Sequence, residues 1–182
     1  MNLKNLYLFV AKSGTGKTAV TRELCRRFKL KDVKSVTTRG RRTPDEDGYY
    51  FLTDEEYDKA NLVQHAVFSG CRYGATMEEL DSSQLFVVCP DGITELLDTY
   101  VNKPMVIIHL VATEEVRRQR MLSRGDSEEN VEVRIKHDAE HFGTLPDLPT
   151  FHINAMQPFD DVIEEVGHAM WLAENVPIHE FR

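Results

Sequence analysis

Five consecutive apolar residues, Leu6-Tyr7-Leu8-Phe9-Val10, end at Ala11-Lys12-Ser13-Gly14-Thr15-Gly16-Lys17-Thr18 and give way to Val20, Leu24 and Phe28, spaced as on one face of a helix. A short unbroken apolar run suits a strand covered on both faces of a parallel sheet, so Asn5 to Val10 is expected to be a central strand and helix one to follow to about Arg27. The alternation recurs down the chain. Val33 to Thr38, Leu62 to Ser69, Gln84 to Cys89, Met105 to Val111 and Phe151 to Asn154 read as strands. Thr53 and Thr76 each precede a Glu by three residues, the spacing of a capping box that opens a helix. Further helices are expected after Asp91-Gly92 through Tyr100, from Thr113 to Arg124-Gly125, from Asp126 to about His141, and at the C-terminus, where Phe159, Val162, Ile163, Val166 and Met170 share a face. Strands alternating with helices predict an α/β three-layer fold around a parallel sheet, with ligands at the carboxyl ends of the strands. The stretch 35–83, with short elements and polar loops, reads as a lobe inserted between two sheet strands of one domain.

The break between the first strand and the first helix carries the clearest chemistry. A strand, a glycine-bearing turn, Gly-Lys-Thr and then a helix is the arrangement that surrounds a polyphosphate with backbone N–H groups. In this P-loop reading Gly14 and Gly16 let the backbone close on the phosphates. Lys17 reaches the β- and γ-phosphates as a point charge, and the Thr18 hydroxyl holds Mg²⁺. The usual pattern has Gly where this chain has Ala11. Alanine would cost about 1 kcal/mol or more if that position needs positive φ, and nothing if it stays extended.

Composition narrows the partners. The chain has 182 residues, 41% of them hydrophobic, enough for a sizeable core, and a net charge of -8 that argues against a nucleic-acid or anionic-membrane surface. Its basic residues cluster at 22–27, 39–42, 117–124 and 134–136, which suits small polyanions better than a continuous stripe. Cys25, Cys71 and Cys89 are odd in number and widely spaced, so neither a disulfide framework nor a zinc site is expected. A short N-terminal apolar run and no stretch near ~20 apolar residues point to a soluble, cytoplasmic protein.

Three further groups complete the pattern: Ser35-Val36-Thr37-Thr38-Arg39 with Arg42; Asp47-Gly48-Tyr49-Tyr50-Phe51 followed by Phe68-Ser69-Gly70 and Tyr73-Gly74; and Arg120-Met121-Leu122-Ser123-Arg124-Gly125 with Arg134. With the P-loop, this ordered set resembles the guanylate kinase family of nucleoside monophosphate kinases over nearly the whole chain. The resemblance implies a core at 1–34, 84–122 and 143–182, a monophosphate-binding lobe at 35–83 and a helical lid at 123–142. It implies ATP-dependent phosphorylation of GMP or dGMP, with Mg²⁺, by a monomer or homodimer. Ser13, Gly14, Thr15, Gly16, Lys17, Thr18 and Asn154 would then serve ATP. Ser35, Arg39, Arg42, Tyr49 and Tyr73 would hold the acceptor phosphate, while Lys17, Arg39, Arg120, Arg124 and Arg134 would meet the charge of the transferring group.

The base pocket departs from the family. Its Glu, hydroxyl and Asp readers of guanine fall on Gln64, Ala75 and Cys89, so the acceptor base is expected to be altered or read differently, with Thr76 or Asp91 as neighbouring substitutes. Apart from these roles, Gln64 suits an exposed edge-strand position and Cys89 a small buried one. Asp91 is also the nearest carboxylate able to support Mg²⁺ through water. A non-catalytic protein-binding module is the reading from another class, and the kept Lys17, Thr18, Arg120, Arg124 and Arg134 argue against it. His137 and His141 have metal-ligand spacing but no accompanying acid motif, and are expected to be exposed helix positions.

Overall fold

The computed structural model describes residues 3–41, 43–68 and 70–177. Arg42 and Ser69, both singled out above, lie outside the described residues. Four parallel strands form the central sheet in the order β6-β1-β7-β8: β1 Leu6–Val10, β6 Leu85–Val87, β7 Met105–Val111 and β8 Thr150–Asn154. All five residues of β1 are buried, which is why that strand reads as an uninterrupted apolar run. One face packs on α1 Lys17–Phe28 and α7 Phe159–Asn175 through Tyr7, Phe9, Leu24, Val106, Ile108 and Val166. The other packs Leu6, Leu8 and Ile107 against Ile93 and Leu96 of α4 Pro90–Thr99. Fully buried Tyr7 donates its hydroxyl to Met170 O at 2.9 Å and to Glu174 at 3.0 Å, which ties the start of β1 to α7.

A second sheet, ordered β3-β2-β5-β4, forms from β2 Val36–Thr37, β3 Tyr50–Phe51, β4 Leu62–Phe68 and β5 Cys71–Thr76. Two short helices flank it, α2 Asp54–Lys59 and α3 Met77–Ser82. Of the strand expected over Val33 to Thr38 only Val36 and Thr37 are strand, while Val33 N donates to Leu85 O in the parallel sheet. Asp32 bridges Leu85 in that same sheet, whereas Val36 and Thr37 join the second one, because the chain turns out of the core between them. The capping boxes also divide. Thr53 and Glu56 make both bonds, but Thr76 accepts from Glu79 N while the Glu79 carboxylate turns to Lys34 N, Tyr50 OH and Lys31. After β7 come α5 Glu114–Ser123 and α6 Glu128–His141, capped by Thr113 and Ser127. On α7 Val162, Ile163, Val166 and Met170 are buried as their spacing demands, while Phe159 at the first turn stays 46% exposed.

Candidate functional site

The loop after β1 leaves the middle of the parallel sheet where its neighbours β6 and β7 lie on opposite sides, the crevice in which such sheets hold ligands. Gly14 and Gly16 both take positive φ, 79° and 113°, a conformation that L side chains avoid. Space also demands glycine at the first of them: a Cβ on Gly14 would stand 2.6 Å from Arg117 O. Ala11 is buried and does not adopt positive φ, so alanine is harmless where the usual loop has glycine. Lys17 opens α1, its ammonium donating to Ala11 O across the loop. Burial lowers its pKa to about 8, against the pull of Asp138 and Cys89 in the other direction, with Arg117 adding to the depression. Thr18 is exposed beside it.

One of the expected site residues on α5 reaches this loop. Arg120 donates to Thr15 O at 2.8 Å and Ala155 O at 2.7 Å, spanning the loop and the turn after β8. Between them opens a cleft of about 240 Å³ walled by Gly16, Val20, Gln157, Phe159 and Val162. Asn154 borders that turn, its side-chain oxygen accepting from Met156 N at 3.0 Å. Arg124, at the end of α5, pairs with Asp126 at 2.5 Å, and Arg134 lies half-buried on α6.

On the second sheet Arg39 gives both ends of its fork to Glu46, at 2.6 and 3.2 Å, and lies over the rings of Tyr49 and Phe51 at 5.4 and 5.5 Å. Tyr49 packs edge-on against Tyr73 at 5.9 Å, so Arg39, Tyr49 and Tyr73 form one cationic, aromatic cluster. Ser35 sits at its edge, its carbonyl accepting from Tyr50 N. Gln64 and Ala75 are cross-strand neighbours on β4 and β5. Gln64 is only 3% exposed although β4 is an edge strand, since α4 covers it: a Cβ on Gly92 would meet its amide at 2.6 Å. Its Nε2 donates to His65 O at 2.7 Å. Cys89 reverses its expectation too. It is exposed, because β6 ends at Val87 and Cys89 serves as N-cap of α4, with Asp91 exposed in the first turn. His137 and His141 stack on each other at 4.4 Å, and His137 also packs on Phe68 at 4.4 Å, joining α6 to the end of β4.

No family model matches the chain. Among curated proteins, the guanylate kinase of Chlorobium luteolum is 25% identical, the match covering 92% of this chain and 89% of that protein. The guanylate kinase of Hahella chejuensis is 28% identical, with 88% and 83% covered. Among solved structures, the guanylate kinase from Anaplasma phagocytophilum superposes with a TM-score of 0.64 at 18% identity, covering 97% of this chain and 89% of the other. Over nearly its whole length this chain is guanylate-kinase-like. A gluconokinase from Sinorhizobium meliloti 1021 shares the fold at a TM-score of 0.57 and 14% identity, covering 96% and 95%.

Two buried residues beside the glycine loop escaped the sequence pattern. Arg117 and Asp138, 5% and 6% exposed, pair at 3.0 Å behind the loop. Asp138 also accepts from Ser13 N at 2.7 Å and Ser13 Oγ at 3.1 Å. The available signal was spacing: Val131, Ile135 and Asp138 lie on one buried stripe of α6, an acid in line with two apolar residues.

Proposed function

We propose that this protein transfers the γ-phosphoryl group of ATP to GMP or dGMP, yielding the diphosphate. The observation that carries the reading is the left-handed glycine loop with Lys17 at its centre, placed at the carboxyl end of the central strand. Support comes from the relatives named guanylate kinase along most of the chain. Phosphoryl transfer asks little covalent work of a protein: two phosphates must be aligned and their charge met by cations already in place. Lys17 moves from Ala11 O to the β- and γ-phosphates, and the donor base enters the cleft beside Phe159 next to Asn154. Ser35, Arg39, Arg42, Tyr49 and Tyr73 hold the acceptor phosphate, which takes the place of Glu46 on the Arg39 fork. Arg120, Arg124 and Arg134 close from the lid side.

Among the described residues no group of three or more His, Cys, Asp or Glu is placed to hold a metal ion. In the proposed reaction Mg²⁺ would be carried with the triphosphate. The exposed Thr18 hydroxyl and Asp91 carboxylate are hard oxygen donors of the kind it accepts. When bound, it neutralises charge developing between the β- and γ-phosphates.

One observation favours a second acceptor. Buried Gln64 spends one of its two amide hydrogens on His65 O and offers a base one acceptor oxygen where a carboxylate would offer two, and Ala75 beside it offers no hydroxyl. A base with fewer donors than guanine would suit this pocket. The test is ADP release measured with GMP, dGMP, AMP, dAMP, UMP, dTMP and CMP, with Lys17→Met as the inactive control. Preference for GMP or dGMP is expected. A decisive preference for another base overturns guanine in favour of the second reading, and no turnover on any acceptor overturns both.

A further inference from the structure

Ser13 is gripped at three polar atoms by two side chains from the α5–α6 region. Its N–H and its hydroxyl each donate to a different oxygen of Asp138, at 2.7 and 3.1 Å, and its carbonyl accepts from Arg117 at 3.3 Å. Arg117 donates from the same nitrogen to Asp138 at 3.0 Å, so the three residues close a ring of hydrogen bonds behind the loop. The grip continues forward. The Arg117 carbonyl abuts Gly14, and Arg120, one turn along α5, donates to Thr15 O. Residues 13, 14 and 15 are thus each held from α5 or α6.

We infer that Asp138 and Arg117 act together as positioning residues for the triphosphate-binding loop, fixing Ser13 so that the N–H groups and Lys17 after it face the phosphates before ATP arrives. The inference rests on the reading of this loop as the ATP site. Two glycines in left-handed conformations, Gly14 and Gly16, leave a loop with much freedom to lose on binding, and anchoring the residue before them removes part of that loss beforehand. A contribution to overall stability is a poor alternative explanation. Taking an ion pair out of water costs about as much as its attraction returns, and apolar replacements of such pairs are often neutral or better. The pairing also serves charge. An unpaired carboxylate behind the loop would repel the triphosphate, and Arg117 cancels it.

Affinity for ATP, followed by titration calorimetry, separates these roles. Asn offers one acceptor oxygen where Asp138 offers two and cannot pair with Arg117 as an ion, so Asp138→Asn is expected to weaken ATP binding about tenfold or more. Ser13→Ala, which keeps the backbone bond, should weaken it by about two- to threefold. The double variant Arg117→Met/Asp138→Met should melt close to the wild type yet keep the loss of ATP affinity, with the KM for the monophosphate unmoved in all three. Unchanged ATP affinity in both Asp138→Asn and the double variant overturns the inference, as does a loss fully accounted for by the unfolded fraction. A wild type that binds ATP but phosphorylates nothing sinks the kinase reading and leaves this comparison decisive, whereas a wild type that binds no ATP sinks both.

Discussion

Lys17 is the residue whose chemistry changes most when a ligand arrives. In the free protein, burial holds its pKa at about 8, Asp138 of α6 and Cys89 before α4 pull it up, and Arg117 of α5 pushes it down. His109 on β7 lies near enough for Lys17 to help depress it, after its own burial, His152 and Lys12. A triphosphate favours the charged ammonium, so the pKa in the complex rises and the complex binds more protons than the free protein between about pH 8 and that raised pKa. Linkage then fixes the sign: affinity for ATP falls as pH rises from about 8 toward the pKa of the complex, and is independent of this group below that window. Calorimetry near pH 9 in two buffers of different ionisation enthalpy should detect uptake of close to one proton per ATP bound. Binding with no uptake there would show that Lys17 is already charged in the free protein.

At the scale of elements, identical local signals led to different structures, and tertiary contacts decided between them. Thr53-x-x-Glu56 closes a full capping box, the exposed Glu56 carboxylate turning back to Thr53 N. At Thr76 the same spacing yields half a box, since Lys34 N, Tyr50 OH and Lys31 compete for Glu79. Glu79 therefore joins α3 to β3 and to the segment before β2, and Glu79→Ala should cost about 1–2 kcal/mol in urea denaturation. Exposed Glu78→Ala should cost almost nothing. Equal losses from the two substitutions would mean that the bonds to Lys34 and Tyr50 contribute no net stability. The same contrast explains what was legible in the sequence. The loop at 11–18, the strand before it and the helix after it were readable because strand burial, positive φ and helix start are all local demands. Gln64 looked like an exposed edge position because its cover, α4, lies nearly thirty residues away in sequence. Arg117 and Asp138 were hidden for a related reason: each sits among charged neighbours on a polar helix, and only the packing of α5 and α6 against the loop buries them.

For the molecule as a whole, the place where the chain leaves the parallel sheet for the second one carries a cost that pH can reveal. Asp32 bridges Leu85 at the edge of the core, and one of its carboxylate oxygens is buried with no hydrogen-bond partner among the described residues. Burial pushes its pKa up to about 7, although Thr21 and the Val33 N–H hydrogen-bond to the carboxylate and oppose the shift. The folded protein therefore binds more protons than the unfolded chain between about pH 4 and pH 7, and stability from this group falls as pH rises through that window. Above it the full penalty is present, on the order of 2–4 kcal/mol. Asn cannot ionise, so Asp32→Asn should gain on the wild type steadily from pH 4 to pH 8, by an amount approaching that penalty. The comparison subtracts every other titrating group, since all are common to both proteins. The slope of the difference decides the matter, because a fixed offset from the new amide would shift both ends equally. A stability difference that stays flat across this range would mean that Asp32 ionises in the folded protein as readily as in the unfolded chain.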